Sequence, residues 1–329
     1  MKWWRIVGWV CLLGCMISCQ REPSARFKRI EAWKHADGQL KVLSTIGMIE
    51  DLVKQIGGEH VASLALIEGE LDPHTYQLVK GDDALFCEAD LIFYSGLGLE
   101  HGPSLHQYLQ QSEKAFSVAE EIAQQNPEGI IWIHGQPDPH IWMDIELWAS
   151  SIPFLTEKLC QKDPDHRQAF LVNARKLLHE MQGYHEEALL ALQAIPSTER
   201  YLVTSHDAFH YFAKAYLANP EEQTSALWKH RATAPEGLAP ESQLSSCDIR
   251  AVVDYLHAHK VSVVFPETNV NLDSLKKIMQ VAKEEGLTVR LAEEPLYGDA
   301  MGEAGSSGDS YLKMMTHNVR TIQKELQIR

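Results

Sequence analysis

Asp-Pro-His occurs twice in the chain, at Asp72-Pro73-His74 and at Asp138-Pro139-His140, each time at the end of a predicted strand-and-loop passage. Proline fixes φ at about −65° and removes a backbone donor, so the imidazole after it is carried on a stiff loop rather than on a helix face. Stiff loops that present histidines suit metal ions, because neutral imidazole is the commonest metal ligand and an ion rewards ligands already in place. Two histidines do not complete a coordination shell. His206, in Ser205-His206-Asp207, again falls where a strand is predicted to end, and Asp299 lies in the glycine-flanked loop Gly298-Asp299-Ala300-Met301-Gly302. A lone loop aspartate is usually a turn former, so Asp299 counts only through the company it keeps.

Other chemistry-bearing residues weigh less. His101 and His106 are five apart and share a helix face poorly; they read as surface or locally hydrogen-bonded histidines. His179-Glu180 and His185-Glu186 open like a zinc-protease motif but lack its second histidine, which leaves ordinary helix-surface residues. His206 and His210 are spaced i, i+4, as in a zinc pair on one helix, but His206 falls at the predicted helix cap and Asp207 lacks the reach of the usual glutamate base, so only His206 is kept. Gly96-Leu97-Gly98 follows a strand, yet position 101 is His101 rather than the third glycine of a dinucleotide fingerprint. Cys87, Cys160 and Cys247 have no CxxC spacing. One pair, such as Cys160 and Cys247, can join in an oxidising compartment, but isolated thiols are the simpler expectation.

The elements that must position these residues alternate between strand and helix. Strands are predicted at 41–45, 61–67, 91–94, 115–118, 201–204, 261–265 and 288–291, with helices between them at 47–56, 77–89, 144–160, 249–259 and 273–285 and a last helix at 309–327. Such alternation specifies parallel α/β sheets, which bind ligands beyond the carboxyl ends of their strands. Between the two strand sets, 164–195 reads as one helix, with Asp163 as N-cap, Pro164 at N1, Pro196 as its stop and Gly183 as its one soft point. A helix that long is a rigid connector. The expectation is therefore an α/β protein of two lobes, each a parallel sheet flanked by helices, joined by one long helix, with a metal site in the cleft. The divisions are 39–162 for the first lobe, 163–196 for the connector and 197–329 for the second lobe.

Composition agrees with this class. The 329 residues are 45% hydrophobic and 23% charged, an ordinary globular balance for two domains. The net charge of −15 repels nucleic acid and anionic lipid and draws cations toward acidic clefts. Lys2 and Arg5 precede an apolar run at 6–17, which is shorter than the about 20 residues a membrane span needs but suits a secretory signal. Cys15 and Cys19 close this run, and both surroundings resemble the lipobox at which bacterial lipoproteins are cut and acylated. Cys15 has the better local match and Cys19 the more usual signal length. The reading is a signal over 1–19 with acylation at Cys19, then a polar tether over 20–38.

Taken together, Asp72-Pro73-His74, Gly96-Leu97-Gly98-Leu99-Glu100, Asp138-Pro139-His140-Ile141-Trp142-Met143-Asp144, Val203-Thr204-Ser205-His206-Asp207-Ala208-Phe209 and Asp299-Ala300-Met301-Gly302 resemble the solute-binding lipoproteins of zinc, manganese and iron ABC importers, in particular the chlamydial type. The resemblance covers the chain from about Lys41 to its end. It implies a metal held by His74, His140, His206 and Asp299, delivery of Zn²⁺, Mn²⁺ or Fe to a permease and its ATPase, a periplasmic location with a lipid as the only membrane anchor, a monomer, and no enzymatic activity. The chain departs from the manganese-restricted branch, which usually has Glu where this sequence has His206, and it lacks the His-rich loop of dedicated zinc carriers. The competing reading is a secreted zinc hydrolase with Glu267 as general base or rival fourth ligand. A catalytic zinc keeps three protein ligands and an open position, whereas four ligands close the shell.

Overall fold

The computed structural model describes residues 24–69, 71–239 and 244–327. The expected signal over 1–19, with Cys15 and Cys19, lies outside the described residues. Residues 25–34, read above as part of a tether, form helix α1 (Ala25–Lys34). Its buried Trp33 donates from Nε1 to the Ala62 carbonyl at 2.9 Å, Arg26 donates to the Leu66 carbonyl at 2.6 Å and Arg29 pairs with Glu50 at 2.9 Å, so a segment with little apolar periodicity is held by separate side-chain contacts rather than by a face.

The first half then runs β1 (Leu40–Ser44), α2 (Gly47–Gly57), β2 (Val61–Ala65), α3 (Asp82–Glu88), β3 (Leu91–Tyr94), α4 (Pro103–Gln111), β4 (Ala115–Ser117) and α5 (Val118–Gln125). Its four strands are all parallel, in the order β2-β1-β3-β4. Parallel sheets are covered on both faces, which explains the unbroken apolar run Leu91-Ile92-Phe93. Helix α2 covers one face because Met48, Ile49, Leu52, Val53 and Ile56 fall on one helical stripe. It enters β2 through a close turn: a Cβ on Gly57 would fall 2.3 Å from the Val61 side chain, and Gly58 has φ 56°, so both positions need glycine.

A two-strand hairpin, β5 (Trp132–Ile133) and β6 (Gln136–Pro137), stands inside the long loop before the second Asp-Pro-His. The helix expected at 144–160 is two, α6 (Ile145–Ala149) and α7 (Ile152–Lys162), because the chain turns at Ser150-Ser151. The connector is α8 (Arg167–Gln193), preceded by a 3₁₀ turn over Pro164–His166. Asp163 does not cap it with its side chain; the carboxylate instead holds His166 Nδ1 at 2.7 Å. The 27-residue helix, about 40 Å long at 1.5 Å per residue, continues through Gly183 and buries Phe170, Ala174, Leu177, Met181, Ala188 and Leu192 along one stripe.

The second half contains β7 (Leu202–Val203), the short α9 (His210–Phe212), α10 (Pro220–Gln223), β8 (Ala232–Thr233), α11 (Ser246–His259), β9 (Val263–Val264), α12 (Asp273–Glu284), β10 (Arg290–Leu291) and α13 (Tyr311–Gln327). Strand β7 pairs in parallel with β8, and β9 with β10; the Phe265 N–H joins the two pairs by donating to the Val203 carbonyl at 2.8 Å. Ladder pairing is shorter than expected because it thins to single bridges, His206 with Glu236 and Glu267 with Leu296, where the chain leaves the sheet. One apolar core runs through both halves, from Val42 and Ile49 through Met181 of α8 to Met315 and Ile322 of α13. Smaller clusters cover the outer face of each sheet. Cys87, Cys160 and Cys247 are free thiols, and among the described residues no helix is long and apolar enough to cross a membrane.

Candidate metal centre

His74, His140, His206 and Asp299 meet in the cleft between the halves, each buried, with one ligand atom apiece lying within 4.8 Å of the others. His74 comes from the loop after β2, His140 from the loop before α6, His206 from the segment beyond β7 and Asp299 from the loop beyond β10. His206 was expected at a helix cap; it sits instead on extended chain, and the helix begins four residues later at His210.

Three neighbouring separations approach the edge of a tetrahedral shell, with both oxygens of Asp299 taking part. His74 Nε2 is 3.3 Å from His140 Nε2, His140 Nε2 is 3.3 Å from Asp299 Oδ1, and His206 Nε2 is 3.0 Å from Asp299 Oδ2. A tetrahedral ion with bonds of about 2.0–2.1 Å has edges of about 3.3 Å. His74 Nε2 to Asp299 Oδ2 is longer, at 3.7 Å. His206 Nε2 and Asp299 Oδ1 are buried without an aligned hydrogen-bond partner, although oppositely charged atoms stand close by. Orphaned donor atoms aimed at a common point are what a cation would satisfy.

Each ring is aimed by its other nitrogen or by its own main chain. In both Asp-Pro-His copies the aspartate accepts the histidine's N–H, Asp72 from His74 at 2.8 Å and Asp138 from His140 at 3.0 Å, which is the Asx-turn that proline stiffens. The copies then diverge. Asp138 Oδ1 also takes His140 Nδ1 at 2.7 Å, whereas the second oxygen of Asp72 is used by the Thr75 hydroxyl. His206 Nδ1 lies 2.8 Å from Glu267 Oε2, an ion-pair contact without hydrogen-bond alignment, and Glu267 Oε1 accepts the N–H groups of Ser205 and His206 at 2.9 and 3.0 Å. Both Glu267 oxygens are thus committed to the His206 segment. Glu267 is outside the four-residue group, and nothing in this arrangement supports the hydrolase reading that rested on it.

Burial and charge oppose one another at these groups. Burial pulls the His74 imidazole down to about 3, with Asp299 only partly offsetting it. Burial also works against a charged His140, but Asp138 and Asp299 overcome it and hold that ring up at about 9. At His206 the charges of Asp299 and Glu267 likewise overcome burial and raise the ring well above its ordinary value. Burial would lift the Asp299 carboxyl, but His206 and His140 hold it well below the usual range.

Gly298 and Trp142, named above only within motifs, and Tyr311, which no motif marked, complete the arrangement. A Cβ on Gly298 would lie 2.3 Å from Glu267 Oε2 and 3.3 Å from His206 Cε1, so this position must be bare for Glu267 and His206 to pack beside Asp299. The Gly298 carbonyl accepts Trp142 Nε1 at 3.1 Å, and the Trp142 carbonyl accepts the Tyr311 hydroxyl at 2.7 Å. Trp142 therefore ties the His140 segment to the Asp299 loop. A cavity of about 1070 Å³ lies beside the group, lined in part by His74, His101, His134, Glu120, Asp207 and Glu236. Of the four, only His74 is on its wall. His101 turns out closer than expected, its ring 5.6 Å from that of His74, with Nδ1 at 3.1 Å from the Gly98 carbonyl, but it is outside the four-residue group. His106 is exposed on α4, away from it.

Two parallel α/β halves, one long connecting helix and three imidazoles with a carboxylate in the cleft define a class of cation-capturing binding proteins. Residues 42–325 match the family described as "Zinc-uptake complex component A periplasmic", and the chain belongs to that family. It is 40% identical to the metal-binding protein YtgA of Chlamydia muridarum, over 98% of this chain and 94% of that protein. It is 33% identical to the manganese-binding lipoprotein MntA of Bacillus subtilis, over 90% and 92%. The crystal structure of Fe(III)-bound YtgA from Chlamydia trachomatis superposes with a TM-score of 0.83 at 39% identity, covering 88% of this chain and 98% of that one. The family consists of uptake components rather than enzymes.

Proposed function

We propose that the chain captures one transition-metal ion, Zn²⁺, Mn²⁺ or Fe, outside the cytoplasm and hands it to the permease and ATPase of an ABC importer, with His74, His140, His206 and Asp299 as the ligands. The observation that carries this reading is the convergence of three imidazoles and one carboxylate, all buried, with one ligand atom from each within 4.8 Å of the others. The relatives' names support it: they bind metal, and one was crystallised with Fe(III). Three nitrogens and one oxygen suit Zn²⁺, but the Irving–Williams order makes affinity a poor guide to the cargo in the cell. We read 39–162 and 197–329 as the two lobes and 163–196 as the connector, with Cys19 as the acylated residue of a monomeric, periplasmic lipoprotein.

The test is metal analysis of protein purified without added metal, followed by competition of Zn²⁺, Mn²⁺ and Fe ions against a chromophoric chelator. One ion per chain, lost when His140 is replaced by alanine, is the expected result. Absence of saturable binding for all three ions would overturn the reading.

A further inference from the structure

His210, dismissed above as a ligand, occupies an unexpected place. It is the first residue of α9, in the second half of the molecule, and its buried ring lies between Asp138 of the first half and, at 3.8 Å from Nε2, Asp207 of its own half. His210 Nδ1 is 2.9 Å from Asp138 Oδ2, while Asp138 Oδ1 takes both the main-chain N–H and Nδ1 of His140. One fully buried carboxylate is thus shared by two imidazoles from opposite halves. The next residue holds the same segment by its main chain: the Tyr211 hydroxyl donates to the Asp138 carbonyl at 3.1 Å and accepts the Ile131 N–H at 3.1 Å.

A carboxylate buried with one oxygen lacking a donor turns to find another partner, because an unmet charged acceptor in a dry interior is costly. If Asp138 turns, Oδ1 leaves His140 Nδ1, and the opposite edge of that ring, Nε2, moves with it. We propose that His210 is a positioning residue for metal capture: by occupying Asp138 Oδ2 it fixes the carboxylate that aims His140 Nε2, so that α9 of one half sets a ligand carried by the other. This rests on the reading of His140 as a ligand.

Asparagine places an amide nitrogen where His210 Nδ1 stands, phenylalanine keeps a ring without a donor, and glutamine moves the donor one bond further out. For His210→Phe, Zn²⁺ affinity should fall by about tenfold, the low end for partners one step removed from the metal, and the visible spectrum of the Co²⁺ form should change in band position and intensity. His210→Asn should stay within about twofold of the parent in affinity and keep the parent spectrum, and His210→Gln should resemble His210→Phe, as expected when an outer-shell donor sets ligand orientation. In an Asp138→Ala background the His210→Phe substitution should have no further effect on affinity, because the two residues act as one unit. Parent-like affinity and spectrum in both His210→Phe and His210→Gln would overturn the proposal, as would His210→Asn being as impaired as His210→Gln. If His210→Phe does not fold, the asparagine–glutamine pair decides alone. Failure of the unsubstituted protein to bind Zn²⁺ or Co²⁺ would instead strike the reading of His140 as a ligand.

Discussion

The two halves of the molecule brace a histidine in the same way with carboxylates of different origin. In the first half, Asp138 holds His140 Nδ1 from two residues away. In the second, Glu267 holds the His206 segment from 61 residues away, after α9, α10, β8, α11 and β9. The first half also supplies His74, whose ring has no such carboxylate among the described residues and forms part of the cleft wall. The comparison teaches that the inner rings, His140 and His206, are oriented and charged by nearby carboxylates, while His74 is fixed mainly through its loop. Capture then resembles closing a prepared socket from the side of His74.

Proton release breaks or sharpens this comparison most strongly. Ligating imidazoles must be neutral, and the braced pair holds protons at neutral pH, His140 up to about 9 and His206 well above its ordinary value, whereas His74 is pushed down to about 3. An entering ion therefore displaces about two protons rather than three, and log K for Zn²⁺ should rise by up to about two per pH unit between about pH 7 and 8.5. The sign for stability is opposite in the metal-free protein. A histidine pKa raised on folding stabilises fully below 6.5 and loses that contribution as pH climbs through about 9. The gap in melting temperature between loaded and metal-free protein should widen as pH rises. Calorimetric titration in buffers of different ionisation enthalpy counts the protons; a count near zero or three contradicts the division between braced and unbraced rings.

Asp299 stands opposite both braced rings, and Asp299→Ala should weaken Zn²⁺ binding by more than about a hundredfold, beyond the range for groups one step from the metal. Chelator competition measures this directly. Asp138→Asn and Glu267→Gln should each cost about ten- to a hundredfold while one ion per chain is still bound. If Glu267→Ala abolishes stoichiometric binding while Asp299→Ala spares it, the fourth ligand is Glu267 and the comparison between the halves falls.

The smallest effect concerns shape. Core packing continues from one sheet through α8 to the other half, and Trp142–Gly298, Tyr311–Trp142, Tyr211–Asp138 and the Tyr216 hydroxyl on the Ile145 N–H stitch the halves beside the site. An uninterrupted helix offers no hinge to absorb large dihedral changes. Small-angle scattering with and without Zn²⁺ should give radii of gyration equal within error, and a large compaction would show that the halves move as separate bodies.

The sequence by itself determined the residues that converge. Proline after aspartate stiffens a loop whatever surrounds it, and strand-end positions mark His74 and His206, so the three histidines were legible from local signals, whereas Asp299, an ordinary turn former by its own context, was reached only through the resemblance to a family. It also marked the connector, misplacing only its first turn, because a helix of that length needs little beyond its own periodicity. Helix α1 shows the opposite case: Trp33, Arg26 and Arg29 anchor it by contacts that no periodic pattern announces. Tertiary structure alone decided which carboxylate serves which ring, that His210 meets Asp138 across 72 residues, and that Gly298 must be bare beneath Glu267. The physical reason is range. Turn chemistry and periodicity act within a few residues, whereas a hydrogen bond between distant side chains exists only after folding has brought their backbones together, and a single chain's composition does not encode which of many acidic residues will arrive.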